Sequence, residues 1–290
     1  MDRSARHITM GAARIQTLRK EGRAHKYNHG HALVLSGGPG ATGAARLATR
    51  AALRIGAGLV TLGVPPAAQL EVAMHSTAVM LARIEDADAL GAVLEDDRIT
   101  ALCLGPGMGV ARAAGLIKAA LTAPSRATVL DADALTALAL DEALMGLLHD
   151  RCVLTPHAGE FARLFPDLAE RLGQTPQSRQ VRTTVVRAAA VRAGCTVLLK
   201  GADTLIAAPD GRCSISEASA GRAAPWLATA GAGDVLAGFV VGLMARGHPP
   251  MHAAETAVWL HVEAARRFGP GLIAEDLPEV LPQVFAGLGV

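Results

Sequence analysis

HALVLSGGPGATGAARLATRAALRIGAGLVTLGV, residues 31–64, reads as strand, glycine-rich turn, helix and strand. Ala32–Leu35 is a short apolar run that ends in Ser36-Gly37-Gly38-Pro39-Gly40, Gly43–Arg54 repeats its apolar positions every 3.6 residues, and Leu59–Val64 is a second β-type run. The same alternation continues outward. Ala101–Leu104, Thr128–Leu130, Cys152–Leu154 and Thr196–Leu199 are predicted strands, while Ala111–Leu121, Ala134–Leu147 and Gln180–Arg192 are predicted helices. That order is the pattern of an α/β fold, a parallel sheet with helices on both faces. After Lys200 it changes to a predicted antiparallel hairpin, Thr204–Ala208 and Arg212–Ser216 about a Pro209-Asp210-Gly211 turn. The remainder is read as helices Gly233–Arg246 and Met251–Phe268 and a short C-terminal segment containing Pro278 and Pro282.

Composition limits what such a chain does. With 290 residues, 51% of them apolar, and a positive mean hydropathy, a sizeable core is expected and both disorder and a fibrous fold are excluded. The longest apolar runs, such as Phe239–Ala245, fall far short of the roughly 20 residues of a membrane-spanning helix, and no leader is evident, so a soluble cytoplasmic protein is expected. Cys103, Cys152, Cys195 and Cys213 form no C-x-x-C pair and read as small core residues. A net charge of +2 without a basic block, and 3% aromatic residues, leave nucleic acid an unfavoured partner. No linker or repeat divides the chain. One domain from residue 31 to 290 is predicted, after an extension of residues 1–30 that is partly helical over Met10–Glu21 and poorly packed.

Three predicted strands or loops run into glycines: Ser36–Gly40, Gly105-Pro106-Gly107-Met108-Gly109 and Gly231-Ala232-Gly233-Asp234. At the carboxyl ends of parallel strands such turns let backbone approach a ligand. The last opens an amphipathic helix, so its N–H groups lie at the positive end of the helix dipole and favour a phosphate or developing oxyanion. Asp234 falls in the first turn. It is either a helix cap or a base that takes a proton from a hydroxyl attacking phosphorus.

The segment Pro225-Trp226-Leu227-Ala228-Thr229-Ala230-Gly231-Ala232-Gly233-Asp234-Val235-Leu236-Ala237-Gly238 resembles the signature of the ADP/ATP-dependent NAD(P)H-hydrate dehydratases of the ribokinase-like superfamily. Leu154-Thr155-Pro156-His157-Ala158-Gly159-Glu160, Leu199-Lys200-Gly201-Ala202-Asp203-Thr204, Gly43-Ala44-Ala45, Ala51–Val60, Gly105-Pro106-Gly107 and Leu130–Leu135 resemble further motifs of that family in the same order. The resemblance, over roughly residues 26 to 270, implies a ribokinase-like three-layer αβα sandwich with a mostly parallel central sheet and an antiparallel hairpin near its end. It also implies dehydration of the S-epimer of hydrated NADH or NADPH with ADP or ATP as co-substrate and Mg²⁺ as counter-ion. A homo-oligomer is implied, and an epimerase supplied by a separate chain. By the same resemblance Asp234, Gly231 and Gly233 are the catalytic candidates. Ala44, Gly107, His157 and Asp234 would meet the hydrated coenzyme, and Lys200, Gly201, Ala202, Asp203, Thr204 and Gly233 the nucleotide. The chain departs from the usual signature at Ala224, Ala230 and Ala232, where Asn, Gly and Ser or Thr are common.

Residue chemistry alone leaves other readings open. His157 and Glu160 could belong to a helix start capped by Thr155, and Lys200–Thr204 could be an ordinary turn into the hairpin. Arg54 and Lys26 read as solvated or structural. His25, His29 and His31, and likewise His248 and His252, are assigned to the surface, and no protein-borne metal site is expected. A ribokinase-like kinase of a small alcohol (a sugar, hydroxymethylpyrimidine or thiazole alcohol) is the alternative enzyme, and a non-catalytic nucleotide or NAD(P) sensor the alternative of another class.

Overall fold

The computed structural model describes residues 4–123, 126–173, 178–217 and 221–290. The N-terminal segment supplies β1 (Arg6–His7) and α1 (Ala12–Leu18), and residues 31–64 supply β2 (His31–Leu35), α2 (Gly43–Arg54) and β3 (Leu59–Val64). Next come α3 (Gln69–His75), β4 (Met80–Arg83), α4 (Ala87–Val93), β5 (Ala101–Leu104), α5 (Val110–Thr122), β6 (Ala127–Leu130), α6 (Ala132–Leu140), α7 (Glu142–Met145) and β7 (Cys152–Leu154). After α8 (Ala158–Leu164), α9 (Pro166–Gly173) and α10 (Arg179–Ala193), β8 (Thr196–Leu199) leads into the hairpin β9 (Thr204–Ala207) and β10 (Cys213–Ser216). The chain ends in α11 (Ala232–Ala245), α12 (Pro250–Phe268) and α13 (Asp276–Leu288).

These strands form one sheet in the order β1-β10-β9-β8-β7-β6-β5-β2-β3-β4. Every neighbouring pair is parallel except β8–β9 and β9–β10, so the hairpin interrupts an otherwise parallel sheet. Side chains alternate across each strand and divide the interior into two cores. Ala32, Val34, Ala101, Cys103, Val129 and Val153 face one layer with α2, α11, α12 and α13; Leu33, Leu35, Leu102, Leu104, Leu130 and Leu154 face the other with α5, α6, α8 and α10. All four cysteines are buried in these cores. Continuous apolar strands are what a parallel sheet covered on both faces requires.

Helix α11 is enclosed on almost every side: its residues Val235 to Ala245 are all buried. It lies unusually close to α2. A Cβ on Gly238 would stand 2.3 Å from the Ala48 carbonyl oxygen and 2.7 Å from Ala51 Cβ, and one on Gly242 would stand 2.3 Å from Ile55 Cγ2. Glycines one turn apart on α11 therefore meet small residues one turn apart on α2. This Gly238–Ala48 and Gly242–Ala52 register, continued one turn back, sets Asp234 level with Ala44.

Several expectations change. The helix predicted over Ala134–Leu147 divides after Leu140, because Asp141 accepts the Ala143 N–H and starts α7 afresh. Residues 4–30 are not loosely attached. Glu255, 2% exposed on α12, accepts from Arg6 and Arg14, while β1 pairs with β10 and Leu18 is buried. His31 is buried rather than superficial and bonds Thr61 Oγ1 through Nε2, and His248 and His252 are half-buried and stacked on one another. β4 and the short helices α3, α4 and α9 lie outside the predicted elements, while α8 follows the helix start that was one open reading of His157 and Glu160. β4 is an edge strand whose Met80 is half exposed, so burial imposes no alternation on it.

The α2–α11 contact makes opposite forecasts testable at Gly238. Helix propensity alone would favour alanine there by about 1 kcal/mol. An added Cβ at 2.3 Å must displace backbone, which costs about 1–3 kcal/mol. Gly238→Ala is expected to lower the melting temperature by several degrees, as read by thermal unfolding. An unchanged or higher value would show that the two helices can separate freely.

Candidate active site

The sheet's carboxyl edge carries the site. Lys200 at the end of β8, His157 at the end of β7, the 3-10 turn Pro225–Leu227 and the first residues of α11 surround a cavity of about 600 Å³. Leu227, Leu236, Val258 and Val262 give it mainly apolar walls, and His157, Lys200, Thr204, Ser216, Arg222 and His261 are polar residues that line it.

The α11 terminus is built around Gly231, which takes φ +84°, a conformation that a side chain would strain. A Cβ there would also stand 2.6 Å from Leu47 Cδ1 and 2.9 Å from Ala274 Cβ. Gly231 offers no side-chain cap, and while the Ala232 N–H donates to the Thr229 carbonyl, the Gly233 and Asp234 N–H groups have no acceptor among the described residues and stay available to a ligand. Asp234 thus does not behave as the cap. Its carboxyl is raised to about 6 by burial foremost, then by the charge of Asp131, with Lys200 opposing and Asp133 and Glu160 adding to the rise.

Lys200 is the cationic centre of this group. Its Nζ donates to Asp131 Oδ1 at 2.7 Å, lies 3.9 Å from Glu160 Oε2, and would stand 3.4 Å from a Cβ placed on Gly233. Burial disfavours its charge, but Asp131, through both charge and hydrogen bond, with Glu160 and Asp234, outweighs burial and raises its pKa. Asp131, 2% exposed, also accepts from Thr155 Oγ1 at 2.8 Å. The next residue, Ala132, holds φ +45°, the one positive φ outside glycine among the described residues. That conformation costs about 1–2 kcal/mol, and it is held because both flanking acids are engaged, Asp133 by accepting the Gly109 N–H at 2.8 Å.

His157 rather than Thr155 caps α8. Its Nδ1 accepts from the Gly159 and Glu160 N–H groups, while Glu160 Oε2 accepts the His157 N–H at 2.8 Å. His157 is also a lining residue of the cavity. Of the Lys200–Thr204 segment, Lys200, Gly201, Ala202 and Thr204 line the cavity. Asp203 turns away to Arg182, whose Nη1 donates to Oδ2 at 3.2 Å and Nη2 to the carbonyl at 2.8 Å. Ala44 and Gly107 lie together outside the cavity lining: a Cβ on Gly107, φ +65°, would stand 3.3 Å from Ala44 Cβ. Asp234, level with Ala44 by the α2–α11 register, follows Gly233, which lines the cavity.

Sequence reasoning gave no role to Asp131, Arg222 or His261, and to Glu160 only a place in a helix start, which the α8 capping box fulfils. The acid pair Asp131 and Asp133 at a strand end was the available signal for the first. Arg222 and His261 had none, since each is defined by a partner far along the chain. The Arg222 guanidinium sits 5.1 Å over the Trp259 ring and 3.5 Å from Glu263, and its buried Nη2 has no hydrogen-bond partner among the described residues.

A family model described as NAD(P)H-hydrate dehydratase matches residues 32–281. The chain is 38% identical over 297 residues to a bifunctional NAD(P)H-hydrate repair enzyme of Moorella thermoacetica, a match covering 98% of this chain and 54% of the relative. It thus spans about half the length of such bifunctional relatives. An ADP-dependent (S)-NAD(P)H-hydrate dehydratase of Xanthomonas campestris is 31% identical, with 96% of each chain covered. Among solved structures, an ADP/ATP-dependent NAD(P)H-hydrate dehydratase from Bacillus subtilis co-crystallized with ATP/Mg²⁺ superposes with a TM-score of 0.78 at 26% identity, covering 98% of this chain and 99% of the other.

The Lys200–Asp131 pair has a measurable energetic signature. Lys200→Met strands an interior carboxylate, and a loss of about 3 kcal/mol is expected in denaturant unfolding. Adding Asp131→Asn to the same chain is expected to restore much of it, because the amide still accepts from Thr155. A Lys200→Met protein as stable as its parent would show that the pair does not neutralise this site.

Proposed function

The chain belongs to the NAD(P)H-hydrate dehydratase family, and on that premise we propose that it dehydrates the S-epimer of hydrated NADH and NADPH, converting ADP to AMP and phosphate. The observation that carries the reading is Asp234: a carboxylate with its pKa raised to about 6, beside Gly233 and Lys200 at an uncapped helix N-terminus. Such a group is mostly ionised at pH 7 yet basic enough to accept a proton from a hydroxyl as that oxygen attacks phosphorus.

In the proposed reaction the nucleotide occupies the cavity, with its phosphates directed to Lys200 and the Gly231–Gly233 turn. The hydrated ring lies on the Ala44, Gly107 and His157 side, where Asp234 faces its hydroxyl. The hydroxyl oxygen bonds to phosphorus as AMP leaves, and Asp234 takes the proton. Phosphate then departs with the electron pair of its C–O bond, pushed by the ring nitrogen, and loss of a ring proton restores the double bond. The apolar cavity walls limit competing water. Positive potential from Lys200 and the α11 amides stabilises the transferred group.

Mg²⁺ is proposed as the counter-ion carried on the nucleotide's phosphates, a common arrangement for that ion. Among the described residues no three His, Cys, Asp or Glu side chains are arranged to hold a metal ion. A single catalytic domain over residues 31–290, a homo-oligomer, a cytoplasmic location and an epimerase on a separate chain complete the proposal. No helix among the described residues is long and apolar enough to cross a membrane.

The test is to incubate the chain with ADP or ATP, Mg²⁺ and hydrated NADH and follow the return of reduced-nicotinamide absorbance. Phosphorylation of a small alcohol without that return would move the assignment to a kinase, and nucleotide binding without turnover to a sensor. Asp234→Asn is expected to lower turnover by about 10² to 10⁴ while nucleotide affinity changes little. The basic form of Asp234 is lost as pH falls through about 6, so kcat/KM is expected to decline below that pH and to be flat on this limb above it. A profile flat down to pH 4 would remove Asp234 as the base.

A further inference from the structure

His261 takes no part in the reaction above, yet it holds the peptide on which the phosphoryl site depends. It lies on α12, is 7% exposed, borders the cavity, and places Nε2 2.9 Å from the Ala232 carbonyl oxygen. A carbonyl can only accept, so Nε2 carries the proton and donates. Burial lowers the imidazole pKa to about 4, against the bond to Ala232 and assisted by the charge of Lys200, so the ring is neutral at pH 7. Phe239 meets it edge-on at 6.1 Å and 81°, which fixes the ring's plane.

The Ala232 carbonyl and the Gly233 N–H belong to one planar peptide group and point in opposite directions. Gripping the oxygen therefore aims the N–H. Hydrogen bonding to the oxygen also polarises the amide and makes its N–H a stronger donor. Gly233 borders the cavity beside Lys200, where charge would develop during transfer.

We propose that His261 is a positioning residue for the Gly233 amide: through the Ala232 carbonyl it fixes the direction and raises the donor strength of the N–H that meets the transferring phosphoryl group. This rests on the phosphoryl-transfer reading of the Asp234 site. The consequence is kinetic, because a donor aimed at developing charge acts on the transition state more than on bound nucleotide.

His261→Leu removes the donor at similar volume, and His261→Gln retains an N–H donor. The leucine variant is expected to lose between about 10 and 10² in kcat with KM for nucleotide and hydrated coenzyme within about twofold, and the glutamine variant to recover most of the loss. By ¹⁵N NMR on the ligand-free chain, the ring proton is expected on Nε2. The Gly233 amide proton is expected to move upfield in His261→Leu and return towards its original position in His261→Gln. Full kcat in folded His261→Leu, equal losses in both variants, or a ring proton on Nδ1 overturns the proposal. If the unaltered chain shows no dehydration, the proposed reaction fails, while the NMR measurement still decides whether His261 controls the Gly233 amide.

Discussion

The approach of α11 to α2 is the constraint on which the site depends. Helices normally pack 8–10 Å apart, and bringing two backbones closer requires small residues on both sides. Gly238 and Gly242 provide them on α11, and Ala48, Ala51 and Ala52 on α2. Because the two helices run in register, this contact also sets the depth of the α11 N-terminus relative to the β2–α2 turn. Buried Val235, Phe239, Val240, Val241 and Leu243 each add about 1.5–3 kcal/mol of hydrophobic stabilisation to hold α11 there. The helix that carries Asp234 is thus a rigid element fixed by the core rather than a surface loop.

Charge balance is the second constraint. Asp131, Glu160 and Asp234 gather around Lys200, with Asp133 close enough to raise the Asp234 pKa. One ammonium does not neutralise four carboxylates. The imbalance falls on the least well bonded of them: Asp131 has Thr155 and Lys200, Glu160 has the His157 N–H, and Asp133 has the Gly109 N–H. Burial foremost, and then this excess of negative charge, raise the Asp234 pKa, the property that a base working near neutral pH requires. Placing the acids at the start of α6 and on α8 and α11, and the lysine just after β8, allows this arrangement only after the sheet has formed.

The N-terminal segment illustrates how tertiary contacts escape a local reading. Residues 4–30 have weak periodicity, and by composition alone they read as a poorly packed extension. Their attachment comes from Glu255, more than two hundred residues away, whose buried carboxylate collects Arg6, Arg14 and Ser214. The same applies to His157, whose capping role depends on a local loop geometry that more often employs Ser, Thr, Asp or Asn, and to Asp203, whose side chain is claimed by Arg182 on α10.

Local periodicity and glycine placement determined the strand and helix order, the parallel sheet with its terminal hairpin, and the turn that carries Asp234, since these are written in near-neighbour residues and in the backbone freedom of glycine. The ordered motifs also determined the family. Tertiary structure alone decided that Lys200 lies among four acids, that Ala44 and Asp234 stand level on neighbouring helices, that Asp203 leaves the cavity, and that His261 grips the Ala232 peptide. The physical reason is common to all of them: hydrogen bonding and electrostatic coupling depend on distance in space, and residues 21 to 190 positions apart acquire that proximity only through the packing of the sheet and its helices.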